Sequence, residues 1–166
     1  MASSYETSLF LALGSNLGEK ESNIGTAYNY IEKRIGRIVS KSAFFYSVPV
    51  GFKSENNFVN SVCEVEAILD VYEIFAITQN IEKEIGRVAK GSRFLYSDRV
   101  IDIDLILFGD RIIDSQNLTI PHPRFHEREF VLYPLSEIAP EVVHPIYNKT
   151  IMELKEVLQK SLRNQI

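Results

Sequence analysis

Two carboxylates, Asp102 and Asp104, stand inside the apolar, β-branched run Arg-Val-Ile-Asp-Ile-Asp-Leu-Ile-Leu-Phe (99–108). On a strand, alternate residues share a face, so both acids project to one side, about 6–7 Å apart along the backbone. Burying two unpaired carboxylates would cost several kcal/mol, so a cation must meet them. The run itself reads as a central, buried strand. No His/Cys set surrounds the pair. An oxygen-only site of few protein ligands suits Mg²⁺, which keeps waters and phosphates for the rest of its octahedron, and does not suit zinc. The chemistry expected is a pair of Mg²⁺ ions carrying a polyphosphate. Asp-x-Asp alone is also compatible with a solvated strand edge.

Other polar groups could join such a site. Arg87, Lys90, Arg93, Arg99, Arg111, Arg124 and Arg128 flank the acidic strand in sequence, a basic zone that fits a small anionic ligand or else a solvated face. His122, held between Pro121 and Pro123, sits in a rigid turn that could aim it at a phosphate. His122 and His126 are four apart, but Pro123 breaks the helix a zinc pair would need. His144 reads as structural. Phe58 with Asn60, and Phe130 after Arg128, could build a flat slot with an amide at its edge; phenylalanines in core packing remain the alternative. No Ser/His/Asp arrangement recommends a nucleophilic triad. Cys63, the lone cysteine, reads as a small buried hydrophobe.

These groups must be positioned by a short list of elements. Leu9–Leu13 is a buried strand ending in the turn Gly-Ser-Asn-Leu-Gly (14–18). Ile24, Ala27, Tyr28, Ile31 and Ile35 recur at helical spacing, with Gly36 as the stop. Arg37–Val48 reads as a second strand, residues 49–56 as a loop, and Asn57–Ala67 as a third strand with Phe58, Asn60 and Val62 on one face. Asp70 and Glu73 open a helix whose stripe is Ile74, Ile77, Ile81 and Ile85; Gln79 and Glu82 lie on its flank. Residues 87–98 lack periodicity and read as a mobile loop leading into the acidic strand. A helix over 127–138, shortened or broken by Pro134, and a capping-box helix from Thr150 complete the chain. The expected fold is α+β: a ferredoxin-like split βαβ antiparallel sheet with two helices on one face, plus C-terminal additions. The opposite face, carrying Asp102 and Asp104, is then left open for ligand.

Composition narrows the function. With 166 residues, 45% hydrophobic and 24% charged, the chain suits a single domain spanning 1–166 with its own core. A net charge of −4 argues against nonspecific nucleic-acid binding. No apolar run reaches bilayer length and no leader pattern opens the chain, so a cytoplasmic protein without a membrane partner is expected.

In order and spacing, several stretches together resemble the 6-hydroxymethyl-7,8-dihydropterin pyrophosphokinases of folate biosynthesis. They are Leu-Gly-Ser-Asn-Leu-Gly (13–18), Phe-Tyr-Ser-Val-Pro-Val-Gly (45–51), Phe-Val-Asn (58–60) and Gln-Asn-Ile-Glu-Lys-Glu-Ile-Gly-Arg (79–87). The acidic strand through Gly109, Ile-Pro-His-Pro-Arg (120–124), Arg-Glu-Phe-Val-Leu-Tyr-Pro-Leu (128–135) and Glu-Ile-Ala-Pro (137–140) continue the series. The resemblance implies an enzyme, a Mg²⁺-dependent diphosphotransferase acting on ATP and the pterin as a monomer and releasing AMP. By position it implies Asp102 and Asp104 as ligands of two Mg²⁺ ions, with Arg87 and Arg99 as catalytic cations. Gln79, Glu82, Arg87, Arg99, Leu105, Thr119, His122 and Arg128 would surround ATP. Val50, Gly51, Phe58, Asn60 and Phe130 would hold the pterin. A nucleotide-sensing module and a Mg²⁺-dependent phosphohydrolase are the competing readings.

The chain departs from the family pattern at Pro123, where some members carry a tyrosine after the His-Pro step, and in the loop before the acidic strand. The usual Arg-Trp-Gly-Pro-Arg before the acidic strand is replaced by Tyr96-Ser97-Asp98-Arg99, with about two extra residues upstream and Ala89 where a second arginine often stands.

Overall fold

The computed structural model describes residues 5–50, 54–86 and 98–165. Strand β1 (Thr7–Ser15) runs through the middle of an antiparallel sheet ordered β2-β4-β1-β5, formed with β2 (Gly36–Lys41), β4 (Phe58–Ala67) and β5 (Asp102–Phe108). Helix α1 (Lys20–Arg34) links β1 to β2, and α2 (Val71–Gly86) links β4 towards β5. This is the split βαβ plan expected, with both helices on one face. Leu9, Leu11 and Leu13 of β1 pack there against Ile24, Ala27 and Ile31 of α1 and Ile74 and Ile81 of α2, all buried. Each of these leucine and isoleucine side chains contributes about 1.5–3 kcal/mol when taken from water.

Local signals explain the element ends. Asp70 accepts the Tyr72 N–H at 3.0 Å and opens α2. Helix α4 (Ile151–Arg163) carries a full capping box: Thr150 Oγ1 accepts from the Glu153 N–H at 3.1 Å and Glu153 Oε1 from the Thr150 N–H at 3.3 Å. Gly36 directly follows the C-cap of α1, Ile35, as expected of the stop, and it has a second role. It is the first residue of β2, and a Cβ there would stand 2.0 Å from the Glu66 carbonyl oxygen, so glycine permits close approach of two strands.

Three expectations are corrected. The strand read over 37–48 is two, β2 and β3 (Phe45–Ser47), both paired with β4 and separated where the Ser42 hydroxyl takes the Val62 N–H at 2.9 Å. The acidic strand starts at Asp102 and lies at the sheet edge beside β1, not in the centre. Its apolar composition reports burial of both faces, which periodicity cannot distinguish from a central position. Finally, the face opposite α1 and α2 is not open throughout. Helix α3 (Glu129–Ile138) and α4 cover much of it, packing Val131, Leu132, Leu135, Leu154 and Leu158 onto Phe10, Ala12, Val62 and Ile106. Helix α3 is short but continuous through Pro134. A register shift between Phe10 and Leu11 leaves Ile106 unpaired on β5, so Ile106 and Leu107 both join this second core. A small hairpin, β6 (Ile113–Asp114) with β7 (Thr119–Ile120), follows β5.

Candidate active site

Beside the first turn of α3, the sheet face forms the floor of a pocket that Ala12, Gly14, Phe130 and Val131 help to line. Its register sets a row: Phe45 of β3 opposes Asn60 of β4, Asn60 opposes Gly14 of β1, and Gly14 opposes Asp102 of β5. Ala12 likewise lies between Val62 and Asp104. Directly paired residues share a face. Two small residues therefore keep the floor low between an amide on one side and two carboxylates on the other. A Cβ on Gly14 would meet Asn60 Oδ1 at 3.2 Å and the Phe58 ring at 3.5 Å.

The amide half is fully determined by its neighbours. Asn60 is 4% exposed. Its Nδ2 donates to the Phe45 carbonyl at 2.9 Å and to Ser47 Oγ at 2.8 Å. Both amide hydrogens are thereby used, and because a carbonyl only accepts, the side chain cannot be flipped. Oδ1 remains as an acceptor beside the pocket. Phe58, on the same strand, and Phe130, on α3 laid over the sheet, line this half together with Ser47 and Val50. The slot expected of Phe58, Asn60 and Phe130 is thus one cavity.

Asp102 and Asp104 line the other half of the cavity with Arg99 and Arg128. Arg99 Nη1 pairs with Asp102 Oδ2 at 2.9 Å, with the two side chains 33% and 28% exposed. Burial raises the Asp102 carboxyl above the usual carboxylate range, the charge of Asp104 raises it further, and Arg99 opposes both. Burial also raises Asp104, against Arg128 and Arg99. Two desolvated carboxylates held apart from full neutralisation form a site that calls for hard cations. The oxygen-only donor set fits Mg²⁺; among the described residues no group of three or more His, Cys, Asp and Glu gathers as a metal cluster.

Further candidates stand around this half. Glu82 on α2 accepts the Ile103 N–H at 3.2 Å. Burial, then the charge of Asp102, pushes its carboxyl up to about 8. His122 Nδ1 accepts the Arg124 N–H at 3.2 Å, which leaves the ring proton on Nε2. Burial, then the charge of Arg128, lowers it to about 4, so the imidazole is neutral at pH 7. Gln79 and Thr119 are exposed, whereas the Leu105 side chain is buried in the core under α1 and α2 and does not line the pocket. Gly51 and Arg87 lie outside the described residues, as does most of the loop read over 87–98.

Two features escaped the sequence reading. Ser47 could be found only through its contact with Asn60. Asn16, read there as part of a plain turn, is wholly buried and bonded to groups more than 80 positions away, a contact that leaves no periodic trace.

The family model for 7,8-dihydro-6-hydroxymethylpterin-pyrophosphokinase (HPPK) matches residues 10–140, which include every pocket residue named above. The chain belongs to this family. It is 40% identical over 138 residues to the 2-amino-4-hydroxy-6-hydroxymethyldihydropteridine pyrophosphokinase of Porphyromonas gingivalis, covering 82% of this chain and 93% of the relative. The enzyme of the same name from Aquifex aeolicus is 38% identical over 147 residues, 89% of each chain. The folic acid synthesis protein of Dictyostelium discoideum is 38% identical over 148 residues, but this HPPK-family chain spans 22% of its length. Among solved structures, Plasmodium falciparum HPPK-DHPS matches with a TM-score of 0.78 at 17% identity, covering 99% of this chain and 45% of that one. That likeness is one of fold.

Proposed function

We propose that the protein is a pyrophosphokinase of folate biosynthesis: it transfers the terminal pyrophosphoryl group of ATP to the 6-hydroxymethyl group of 6-hydroxymethyl-7,8-dihydropterin and releases AMP. The observation that carries this is one pocket in which an aromatic slot with a buried amide meets a pair of carboxylates across a glycine floor. Family membership supplies the reaction.

In this reading the pterin lies between Phe58 and Phe130 with Asn60 Oδ1 at its edge and Val50 beside it, and Gly51 is assigned to the same ligand from its place in the family pattern. Asp102 and Asp104 hold two Mg²⁺ ions, which supply charge neutralisation for the triphosphate and for the attacking hydroxyl. Leu105, buried in the core, has no side-chain part in the nucleotide site, and Gln79, Glu82, Thr119 and His122 surround the nucleotide. His122 does so as a neutral hydrogen-bond donor through Nε2. The hydroxymethyl oxygen attacks the β-phosphorus, the bond from that phosphorus to the bridging oxygen of the α-phosphate breaks, and AMP leaves with that oxygen. The hydroxyl proton passes to solvent. Positioning and charge compensation make up most of such a reaction, so the arginines matter more than a general base. Arg99 and Arg128 are already beside the acids; Arg99, Arg128 and Arg87 neutralise charge as the phosphates arrive. A monomer acting as a single domain is proposed. No helix among the described residues is long and apolar enough to cross a membrane, and a cytoplasmic setting is proposed.

The test is product analysis. Protein, ATP, Mg²⁺ and the hydroxymethylpterin should yield AMP and the pterin diphosphate, and EDTA should stop the reaction. Release of ADP in place of AMP would defeat this reading, and release of phosphate without pterin would replace it with a hydrolase. Nucleotide binding without turnover would make the chain a sensor.

A further inference from the structure

The two halves of the pocket are tied together by a small polar cluster outside it. Asn16, at the end of β1, is 0% exposed. Its Nδ2 donates to Asp98 Oδ1 at 2.7 Å and to the Asn56 carbonyl at 3.3 Å, while its Oδ1 accepts the Arg99 N–H. Its own N–H donates to the Arg99 carbonyl at 2.9 Å. Asn56 Nδ2 reaches Asp98 Oδ2 at 3.1 Å, and Ser54, whose Oγ takes the Asn56 N–H at 3.0 Å, also bonds the Asp98 side chain. One carboxylate is therefore gripped by donors from the segment that runs into Phe58 and from the end of β1. Its immediate neighbour, Arg99, is the cation paired with Asp102.

We infer that Asp98 is a positioning residue. Through Asn16 and Asn56 it ties the backbone that carries Arg99 to the segment that leads into the pterin slot, and so sets where the Arg99 guanidinium stands over the acid pair. The inference rests on the pyrophosphokinase reading. Its physical basis is that a carboxylate accepts several charge-assisted bonds at once, which makes it a stronger junction than any neutral side chain of its size. Hydrogen bonding by Ser54, Asn56 and Asn16 lowers the Asp98 carboxyl below its usual range, so the junction stays charged at physiological pH. Asp98 touches neither acid of the pair, so it acts through Arg99. It also falls at the position where the sequence departs from its family's usual proline.

Asp98→Ala should lower kcat roughly tenfold, the order of effect expected when a catalytic cation is displaced by a fraction of an ångström. The affinity for hydroxymethylpterin measured without nucleotide should stay within about twofold, because the Asn60 contacts are untouched. Asp98→Asn, which keeps one acceptor, should fall between. The deciding measurement is a double-mutant cycle with Arg99→Ala: once the guanidinium is gone, Asp98→Ala should have little further effect on kcat. A merely structural residue would give additive losses. Additive losses, or an Asp98→Ala rate within twofold of wild type, overturn the inference. If Asp98→Ala does not fold, Asn56→Ala loosens the same junction from its other side and must show the same non-additivity with Arg99→Ala. Wild-type protein that releases no AMP would instead refute the pyrophosphokinase reading itself.

Discussion

The two halves of the pocket are built on opposite principles. The amide half is neutral and locally complete: every hydrogen of Asn60 is spent on Phe45 and Ser47, and only Oδ1 is left over. The acid half is charged and under tension, with both carboxylates raised by burial, Asp102 raised further by the charge of Asp104, and both held by Arg99 and Arg128. The first resembles a preformed mould for a flat heterocycle. The second resembles a socket that is relaxed only when cations and phosphates arrive. Recognition can be built in advance from neutral hydrogen bonds, whereas phosphoryl chemistry needs charge that the unliganded protein must tolerate.

The contrast is broken most strongly by removing the acids. Asp102→Ala and Asp104→Ala should each lower AMP release by about 10³-fold or more. The melting temperature without divalent cations should hold or rise, because like-charge repulsion is relieved. A variant with near-normal turnover would dismiss the metal role. Asn60→Ala should do the reverse. Pterin affinity should drop by roughly tenfold to a hundredfold, ATP affinity should be unchanged, and stability should fall by about 1–2 kcal/mol, since Asn60 also fastens β3 to β4. Isothermal titration and urea unfolding separate these effects.

Acidity sharpens the same comparison. Glu82, raised to about 8, binds its proton more tightly folded than unfolded. Its contribution therefore favours the metal-free fold at low pH and is lost as pH rises towards 8. His122 and His144, both lowered to about 4, run the other way. They are held neutral in the fold, so the stability they contribute is present above about 6.5 and is lost as pH falls towards 4. In EDTA, the Glu82 contribution should fall between about pH 4.5 and 8, opposed up to about pH 6.5 by the two histidines. Glu82→Gln should therefore flatten the alkaline limb of the urea midpoints between about pH 6.5 and 8. An unchanged alkaline limb would contradict the charge tension assigned to the acid half. The smallest effect is expected at the boundary between halves. Gly14→Ala places a methyl 3.2 Å from Asn60 Oδ1 and should weaken pterin binding severalfold, with a stability change under about 1 kcal/mol.

Much of this was legible residue by residue. The stripes of α1 and α2, the cap at Asp70, the capping box at Thr150, and the shared face of Asp102 and Asp104 all follow from local backbone periods and end signals. Phe58, Asn60 and Phe130 were candidates for one slot and do line one cavity. The position of β5 at the edge was not legible, because an apolar run reports covered faces and says nothing about how many strands flank it. Nor was the cover of α3 and α4 over the second face, since an amphipathic stripe does not name the surface that receives it.

What the amino-acid order determined alone was therefore the set of local elements and the side each polar group would take on its own strand or helix. The row from Phe45 through Asn60 and Gly14 to Asp102 was decided only by tertiary structure, as was the junction of Asn16, Asn56 and Asp98. Those partners lie between about 15 and 90 positions apart. Pairing at such separation is set by strand register and by loop closure, which depend on the packing of the whole chain and on no short-range pattern.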